Sequence, residues 1–531
     1  MIRDKNTEII LAVSEESDQT EKFAAEELAK YLSRMVDNKR IIITTRRETR
    51  KAIYVGTLPA NLDESLAKSI LNELEKLSDD GFIIRGIGEM LLILGKTSRA
   101  TLFGVYHYLQ LLGVRWYFPG EENEYVPKRE DIVIEGLDVK ESPAFVKRGI
   151  VIDFDNTAIC DWIDFMAKVK LNTLALHVQD ISIMPTRTVD QIKNRPEFLN
   201  QILALLAKRG LDFNLETHFF GSKFCSVDQN ELEISKKRLK EFLELVPSEI
   251  NDFFLWPADR PLIHCDCEQD RNLSLSDQVL IFTNRMLQVI REARPGARLA
   301  FIQYFSTWEP PIKVKPLDGI FLEIAPIHQC FSHAICDPVC DINKNIVTPQ
   351  IEEALKIFNP KEAQVLGYWL DSSLFGRSEF KDLLGRLPQF GGIMKQELNY
   401  YFKKGIRAIT TFVVGLDKDY FSSFTSPTIF LYAQLLWDPQ ADLEPELLLF
   451  CKNFYGRSEL APIFELYERL DPKDFPQEYL SSAYVDKISS FIELTRKALM
   501  ETESTVIQMR LKRLLRELYH FRCWLKSLEK Q

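Results

Sequence analysis

Eight short apolar runs lie between residues 145 and 415, and nearly every one breaks at its C-terminal end into aromatic, acidic or histidine residues. They span 146–153, 172–180, 211–218, 252–259, 298–304, 319–325, 364–371 and 408–415. Longer stretches with helical spacing separate most of them, such as 161–170, 195–209, 235–245 and 276–293. Strands of this length alternating with helices predict a parallel sheet covered on both faces. Eight such units in roughly 250 residues match a (β/α)8 TIM barrel, whose active site lies at the C-terminal ends of the strands. That is where the polar residues fall.

The flanks carry different patterns. Before the barrel, 8–13, 40–45, 52–56, 81–86 and 90–95 read as strands. Between the first two, 20–35 places Phe23, Ala24, Leu28, Tyr31 and Leu32 on one helical face. A second helix over 98–112 ends at Gly113. This predicts an α/β accessory module over residues 1–140, with Pro143 as the joint. After residue 415 the pattern turns helical: 428–436 closes the barrel, and 443–455, 459–470, 480–501 and 505–528 form a small bundle. The expected parts are therefore 1–140, 141–437 (the barrel) and 438–531 (a helical domain).

A chain of 531 residues is too long for one core, which agrees with this division. Its composition, 46% hydrophobic and 27% charged, is ordinary for a globular protein. A net charge of −10 without a long basic tract argues against nucleic acid and anionic membranes as partners. The first 22 residues lack a basic region followed by an apolar core, and no apolar run approaches the ~20 residues of a membrane span. A cytoplasmic location is expected, where the nine cysteines stay reduced. Motifs for nucleotide binding, zinc proteolysis and the esterase nucleophile elbow are absent.

Several ungapped segments carry a family likeness. The stretch 95–109, Gly-Lys-Thr-Ser-Arg-Ala-Thr-Leu-Phe-Gly-Val-Tyr-His-Tyr-Leu, with Leu-Gly-Val-Arg-Trp-Tyr-Phe-Pro-Gly at 112–120, resembles the end of the N-terminal domain of α-glucuronidases and β-hexosaminidase-type glycoside hydrolases. The helix Phe-Ala-Ala-Glu-Glu-Leu-Ala-Lys-Tyr-Leu at 23–32 is similar to the same module. Further on come Ser-Pro-Ala-Phe-Val-Lys-Arg-Gly at 142–149, Trp-Pro-Ala-Asp at 256–259 with Cys-Asp-Cys at 265–267, and Leu-Gly-Tyr-Trp-Leu-Asp-Ser-Ser at 366–373. With 405–417 these resemble the domain of unknown function 4838, some members of which are grouped as glycoside hydrolase family 163, endo-β-N-acetylglucosaminidases acting on N-glycans. The likeness covers roughly residues 8–455. It implies a glycosidase acting on a β-linked N-acetylhexosamine- or uronic-acid-containing oligosaccharide. A cytosolic setting favours a short imported oligosaccharide over a polymer or glycoprotein.

Such hydrolysis needs a proton donor for the leaving oxygen and a second carboxylate as nucleophile or base, about 5.5 Å away for retention and about 6.5–9.5 Å for inversion. The acidic candidates are Asp153 and Asp155 after strand 1, Glu216 on strand 3, Asp259 after strand 4, Glu323 on strand 6 and Asp371 after strand 7. Asp259, Glu323 and Asp371 come first. Asp259 follows Trp256-Pro257, where an aromatic neighbour would desolvate an acid. Glu323 interrupts a wholly apolar strand, a costly placement unless it is paired or protonated. Asp371 closes its strand before Ser372-Ser373, where an Asx turn is the competing role. Glu216 and His218, two residues apart, share a strand face and are expected to meet substrate. Trp256, Tyr304, Trp308, Tyr368, Trp369 and Phe412 are candidates to stack on sugars, Trp308 foremost because it lies on a loop. Arg148 matches the family's Arg-Gly pair, either binding substrate or pinning a carboxylate inside the barrel.

His264, Cys265 and Cys267 lie in the strand-4 loop, and Cys330, His333, Cys336 and Cys340 in the strand-6 loop. Neither set has paired Cys-x2-Cys spacing, and Glu268-Gln269-Asp270 stands where relatives carry a further cysteine, so no metal and no cofactor is expected. His333 is instead a candidate substrate contact. The rival readings are a barrel that binds carbohydrate without cleaving it and a zinc-dependent hydrolase. Self-association is left open.

Overall fold

A computed structural model of the chain describes residues 8–37, 39–46, 51–130, 132, 136–177, 192–374, 387–467, 479 and 481–528. The end of the second apolar run, Asp180 included, lies outside them.

The first module is built on strands β1 (Glu8–Ala12), β2 (Arg40–Thr44), β3 (Ile53–Val55), β4 (Phe82–Ile87) and β5 (Met90–Gly95). Short strands β6 (Arg115–Trp116), β7 (Glu124–Tyr125) and β8 (Asp138–Glu141) follow. The main sheet has the order β2-β1-β3-β5-β4-β8. Alternation along β5 explains how both faces are covered. Leu91 and Ile93 pack toward helices Gln19–Met35 and Ser98–Leu111, while Leu92 and Leu94 pack with Ile70 of helix Glu64–Glu75. Gly95 is required by close approach: a Cβ there would stand 2.0 Å from the Thr101 amide at the start of the helix.

The eight apolar runs form strands β9 (Lys147–Asp153), β10 (Thr173–His177), β11 (Asp212–His218), β12 (Asp252–Trp256), β13 (Arg298–Gln303), β14 (Ile320–Ile324), β15 (Gln364–Asp371) and β16 (Ala408–Val414). All pairs are parallel, and β16 returns to β9 through Ala408↔Lys147 and Val413↔Ile152, which closes the barrel. Helices Ile159–Lys168, Pro196–Arg209, Gln229–Leu245, Leu275–Ala293, Thr348–Ile357, Gly391–Lys403 and Thr428–Trp437 cover its outside. One unit departs from the pattern. Between β13 and β14 the chain makes only a 3-10 turn at Phe305–Thr307. The C-terminal part comprises helices Leu443–Tyr455, Ser482–Glu501 and Thr505–Leu528. The expected helix at 459–470 is a 3-10 segment, Ser458–Tyr467, with Pro462 inside it. A proline there lacks the amide an α-helix would need.

A buried ionic cluster joins the accessory module to the bottom of the barrel. Arg148, with no exposed surface, donates to Asp80 Oδ2 (2.7 Å) and to the carbonyls of Lys170 (2.9 Å) and Phe145 (2.8 Å). Asp80 also receives Arg99 (2.7 Å) and the Asn172 amide (2.8 Å). Although its own burial opposes ionisation, the two guanidinium groups hold its carboxyl below the usual range. Arg148 thus pins a carboxylate of the neighbouring module and lies at the N-terminal end of β9, away from the C-terminal strand ends.

A second polar layer crosses the barrel interior. Gln364 donates to Glu216 (3.2 Å), Glu323 (2.9 Å) and Thr410 (3.2 Å), and its oxygen accepts from Lys147. Trp256 Nε1 donates to the other Glu323 oxygen at 2.6 Å. Burial pushes the Glu216 carboxyl up to about 7, with Lys147, Gln364 and His177 pulling the other way. Burial, then the nearby Glu216 charge, drives Glu323 further above its ordinary value.

Two predictions follow from these layers. Asp80→Ala would leave the fully buried Arg148 guanidinium without a carboxylate and Arg99 with Asp212 alone, and is expected to destabilise the protein by about 3–5 kcal/mol, with Asp80→Asn milder. Thermal denaturation measures the difference, and an unchanged midpoint for both variants would dismiss the cluster as a clamp. The second concerns pH. Glu216 and Glu323 keep protons in the folded state that the unfolded chain releases above its ordinary carboxyl pKa. The contribution of Glu216 is full below about pH 4.5 and lost as pH rises through about 7, and that of Glu323 is likewise lost as pH rises. Urea-denaturation stability is expected to fall by on the order of 2 kcal/mol across this window, and Glu216→Gln to flatten the slope.

Candidate active site

Two large cavities open at opposite ends of the barrel. The larger, about 810 Å³, lies at the N-terminal strand ends beside the accessory module. Several of its charges are paired: Arg99 binds Asp80 and Asp212 (2.9 Å), and Asp252 binds Arg298 (2.6 Å). The smaller, about 570 Å³, lies at the C-terminal ends, where side chains from different strands and loops converge on open space. The candidate site is placed there, because the active sites of such barrels lie at the C-terminal strand ends.

Its floor is aromatic. Trp256 ends β12, and its ring meets those of His218 (5.2 Å), His177 (5.8 Å) and Phe412 (6.0 Å). Tyr368 stacks on Phe412 at 5.8 Å. Burial raises the Tyr368 hydroxyl well above its ordinary value, and the charges of Asp371 and Asp259 add to the effect, so it stays protonated as a donor. Below this floor, Trp256 faces down to Glu323.

The rim is acidic. Pro257 stops β12, and the Arg260 amide reaches back to the Ala258 carbonyl (2.8 Å), turning the chain tightly about Asp259. Asp259 stands exposed at the tip and accepts the Tyr304 hydroxyl at 2.9 Å. Asp371, 6% exposed, accepts the amide (2.9 Å) and hydroxyl (2.6 Å) of Ser373. That is the Asx turn, formed on a residue that also lines the cavity. Beside β12, the Phe219 and Phe220 amides bond the Trp256 carbonyl (2.9 and 3.0 Å), and His218 Nδ1 donates to the Pro257 carbonyl at 2.6 Å. The loops after β11 and β12 are therefore braced to one another.

The expected residues separate sharply. Asp259, Asp371, His218, Trp256, Tyr304 and Tyr368 line the cavity, as does Phe412. Glu323 and Glu216 do not. They lie under the Trp256 floor with no exposed surface, and burial raises both carboxyls above their ordinary values. Trp308 is buried, its indole donating to the Ile346 carbonyl (3.3 Å). Trp369 faces outward from β15 and donates to the buried Glu397 of helix Gly391–Lys403 at 2.6 Å. The same carboxylate takes the Ile335 amide (3.0 Å), which anchors the loop after β14. His333 lies within that loop, paired with Asp337 (2.9 Å), away from the cavity. Asp155 sits at the surface, paired with Arg195. Trp256 faces Glu323 rather than desolvating Asp259.

Two further residues come forward. His177 ends β10 beside Asp153, whose carboxylate accepts its Nδ1 proton at 2.9 Å. This sets the tautomer and leaves Nε2 as a buried acceptor without a hydrogen-bond partner among the described residues, in a residue that lines the cavity. Phe305 lies at the rim, 42% exposed, with φ +36°, an uncommon conformation for a bulky side chain. The signal for His177 was present, a histidine at a strand end one strand away from an aspartate. Phe305 carried none, because its loop offered a larger aromatic residue, Trp308, three positions on.

Comparison with known proteins places this geometry. Residues 3–108 match the glycosyl hydrolase family 67 N-terminus, and residues 118–468 match the domain of unknown function DUF4838. No curated protein matches the chain. Among solved structures, it is similar to BtGH115A, described as a 4-O-methyl-alpha-glucuronidase with specificity for decorated arabinogalactans (12% identity, TM-score 0.62, 98% of this chain and 73% of that one). It is also similar to CpGH84B (12%, TM-score 0.59, 99% and 88%). A third is a beta-N-acetylhexosaminidase from Bacteroides fragilis NCTC 9343 (13%, TM-score 0.52, 87% and 92%). At these identities the likeness is one of fold. The family match, covering more than half of the chain, goes further: this protein belongs to the DUF4838 family and carries a family 67-type N-terminal domain.

Proposed function

We propose that the protein is a glycoside hydrolase whose reaction takes place in the C-terminal cavity. The observation that carries this reading is the meeting of Asp259 and Asp371 with the faces of Trp256, Tyr304, Tyr368 and Phe412 in one cavity of about 570 Å³. Aromatic faces bind the apolar faces of sugar rings, and two carboxylates supply the acid and the nucleophile or base. Glycosidases among the fold neighbours support the same reaction class.

The roles follow from the surroundings. Asp371, oriented by two donors from Ser373, is placed to act as nucleophile or charge stabiliser. Asp259, oriented through one oxygen by Tyr304, has its second oxygen to carry the proton for the leaving group. His177 Nε2 accepts a sugar hydroxyl, and Phe305 extends the stacking surface at the rim. Glu323 and Glu216 act from below by positioning Trp256.

The substrate we infer is a β-linked N-acetylhexosamine- or uronic-acid-containing oligosaccharide. Arg260 lines the cavity and offers a planar partner to a uronate carboxylate. A second reading, binding without cleavage, draws on Asp371, whose tie to Ser373 also serves a purely structural turn.

Nitrophenyl glycosides and N-glycan-derived oligosaccharides separate these readings. Turnover is expected, with Asp259→Asn and Asp371→Asn each lowering kcat by about 10²–10⁴-fold. Phe305→Ala is expected to raise KM by about 5–10-fold with kcat little changed. If Asp259→Asn and Asp371→Asn both retain full turnover, the assignment of the acids fails. Saturable binding of an oligosaccharide without product would establish the second reading instead.

A further inference from the structure

Behind the candidate site, four metal-binding side chains converge from two loops. Cys225 lies in the loop after β11, and Cys265, Cys267 and Asp270 lie in the loop after β12. One ligand atom from each lies within 4.8 Å of all the others. From these residues we propose a structural zinc site in which the three thiolates and the Asp270 carboxylate surround one Zn²⁺. This departs from the expectation that no metal binds, drawn from the cysteine spacing and from Glu268-Gln269-Asp270 standing where relatives carry a further cysteine. The missing ligand was Cys225, 42 positions before Cys267.

The geometry favours a metal in two respects. The Cys225 and Cys267 sulfurs stand 3.9 Å apart. Zinc–sulfur bonds of about 2.3 Å in a tetrahedron place sulfurs about 3.8 Å apart, whereas a disulfide needs about 2.05 Å. The turn is also held in shape before any ion arrives. The Asp270 and Arg271 amides bond the Cys267 carbonyl (3.1 and 2.9 Å), and Gln278 clamps the Cys265 amide and carbonyl (2.9 and 3.1 Å). Asp270, fully buried, is oriented by the Ser226 amide (2.6 Å) and hydroxyl.

His264 is not a ligand. Its Nδ1 meets Asp266 (2.9 Å), and its Nε2 lies 2.8 Å from the Leu273 carbonyl and 3.0 Å from the Gln278 amide nitrogen. Binding releases the three thiol protons to solvent and changes no oxidation state. The ion would join the loop that follows His218 to the loop that presents Asp259. It would therefore stiffen the rim of the cavity whatever substrate enters, so the proposal stands apart from the glycosidase reading.

The test uses the full chain purified under reducing conditions after growth with zinc. Elemental analysis is expected to find one zinc per chain. Exchange with Co²⁺ should give the thiolate-to-cobalt charge-transfer band and the intense visible bands of a tetrahedral site. Cys225→Ser and Cys267→Ser should each weaken zinc binding on the order of 100-fold or more, and Asp270→Asn by about 10–100-fold. Cys336→Ser and His264→Ala should leave both the metal content and the cobalt spectrum intact. Because the cobalt spectrum is read on unmodified protein, misfolding of a cysteine variant does not decide the result. Zinc well below one per chain together with no cobalt–thiolate band would overturn the proposal, as would a Cys225–Cys267 disulfide in freshly purified reduced protein.

Discussion

A closed parallel barrel has no edge and no solvent face, so any ionisable group inside it must be matched within the barrel or remain neutral. This constraint orders the whole molecule. Glu216 and Glu323 satisfy it by sharing Gln364 and through carboxyls raised above their ordinary values. Arg148, on the opposite face of β9 from the interior Lys147, meets Asp80 of the accessory module, so a buried ion pair joins the two modules. Groups left free to react are pushed to the C-terminal ends, where the loops open onto water.

The two ends of the barrel thus do different work. At the N-terminal end, Arg99, Asp80, Asp212, Asp252 and Arg298 pair among themselves, and the larger cavity there has structural walls. At the C-terminal end, Trp256 separates two chemistries. Its indole nitrogen points down to Glu323, while its ring faces His177, His218 and Phe412. A tryptophan in that place ties the position of the cavity floor to the polar layer beneath it. The loops after β11 and β12 are bonded to one another beside the floor, which holds Asp259 at the rim on braced backbone rather than on a loose tip.

How much of this was legible in the sequence depended on the distance over which each feature is decided. The eight strands follow from local alternation of apolar and polar stretches, and closure needs only that there are eight. Asp259, Asp371, His218 and Tyr368 reach the cavity because they end inward-facing strand positions or the turns just after them. Trp369 does not, because the next residue along a strand faces the other way and meets Glu397. Glu323 and Glu216 stood out correctly as costly insertions in apolar strands. Their depth along the barrel axis, below Trp256, depends on the stagger between strands, which no single strand records.

What the sequence determined by itself was the order and kind of the elements, the helical tail, and the sign of each strand end, since these rest on short-range periodicity and on residue type. Tertiary structure alone decided which groups meet. Asp80 comes 68 positions before Arg148, and His177 finds Asp153 24 positions away. Trp308 turns inward under its loop while Phe305 takes the rim. Cys225 joins Cys265 and Cys267 only because β11 and β12 are neighbours whose following loops fold over one another. Charge pairing, burial and ligand convergence are properties of distance in space, and the barrel's closure sets those distances.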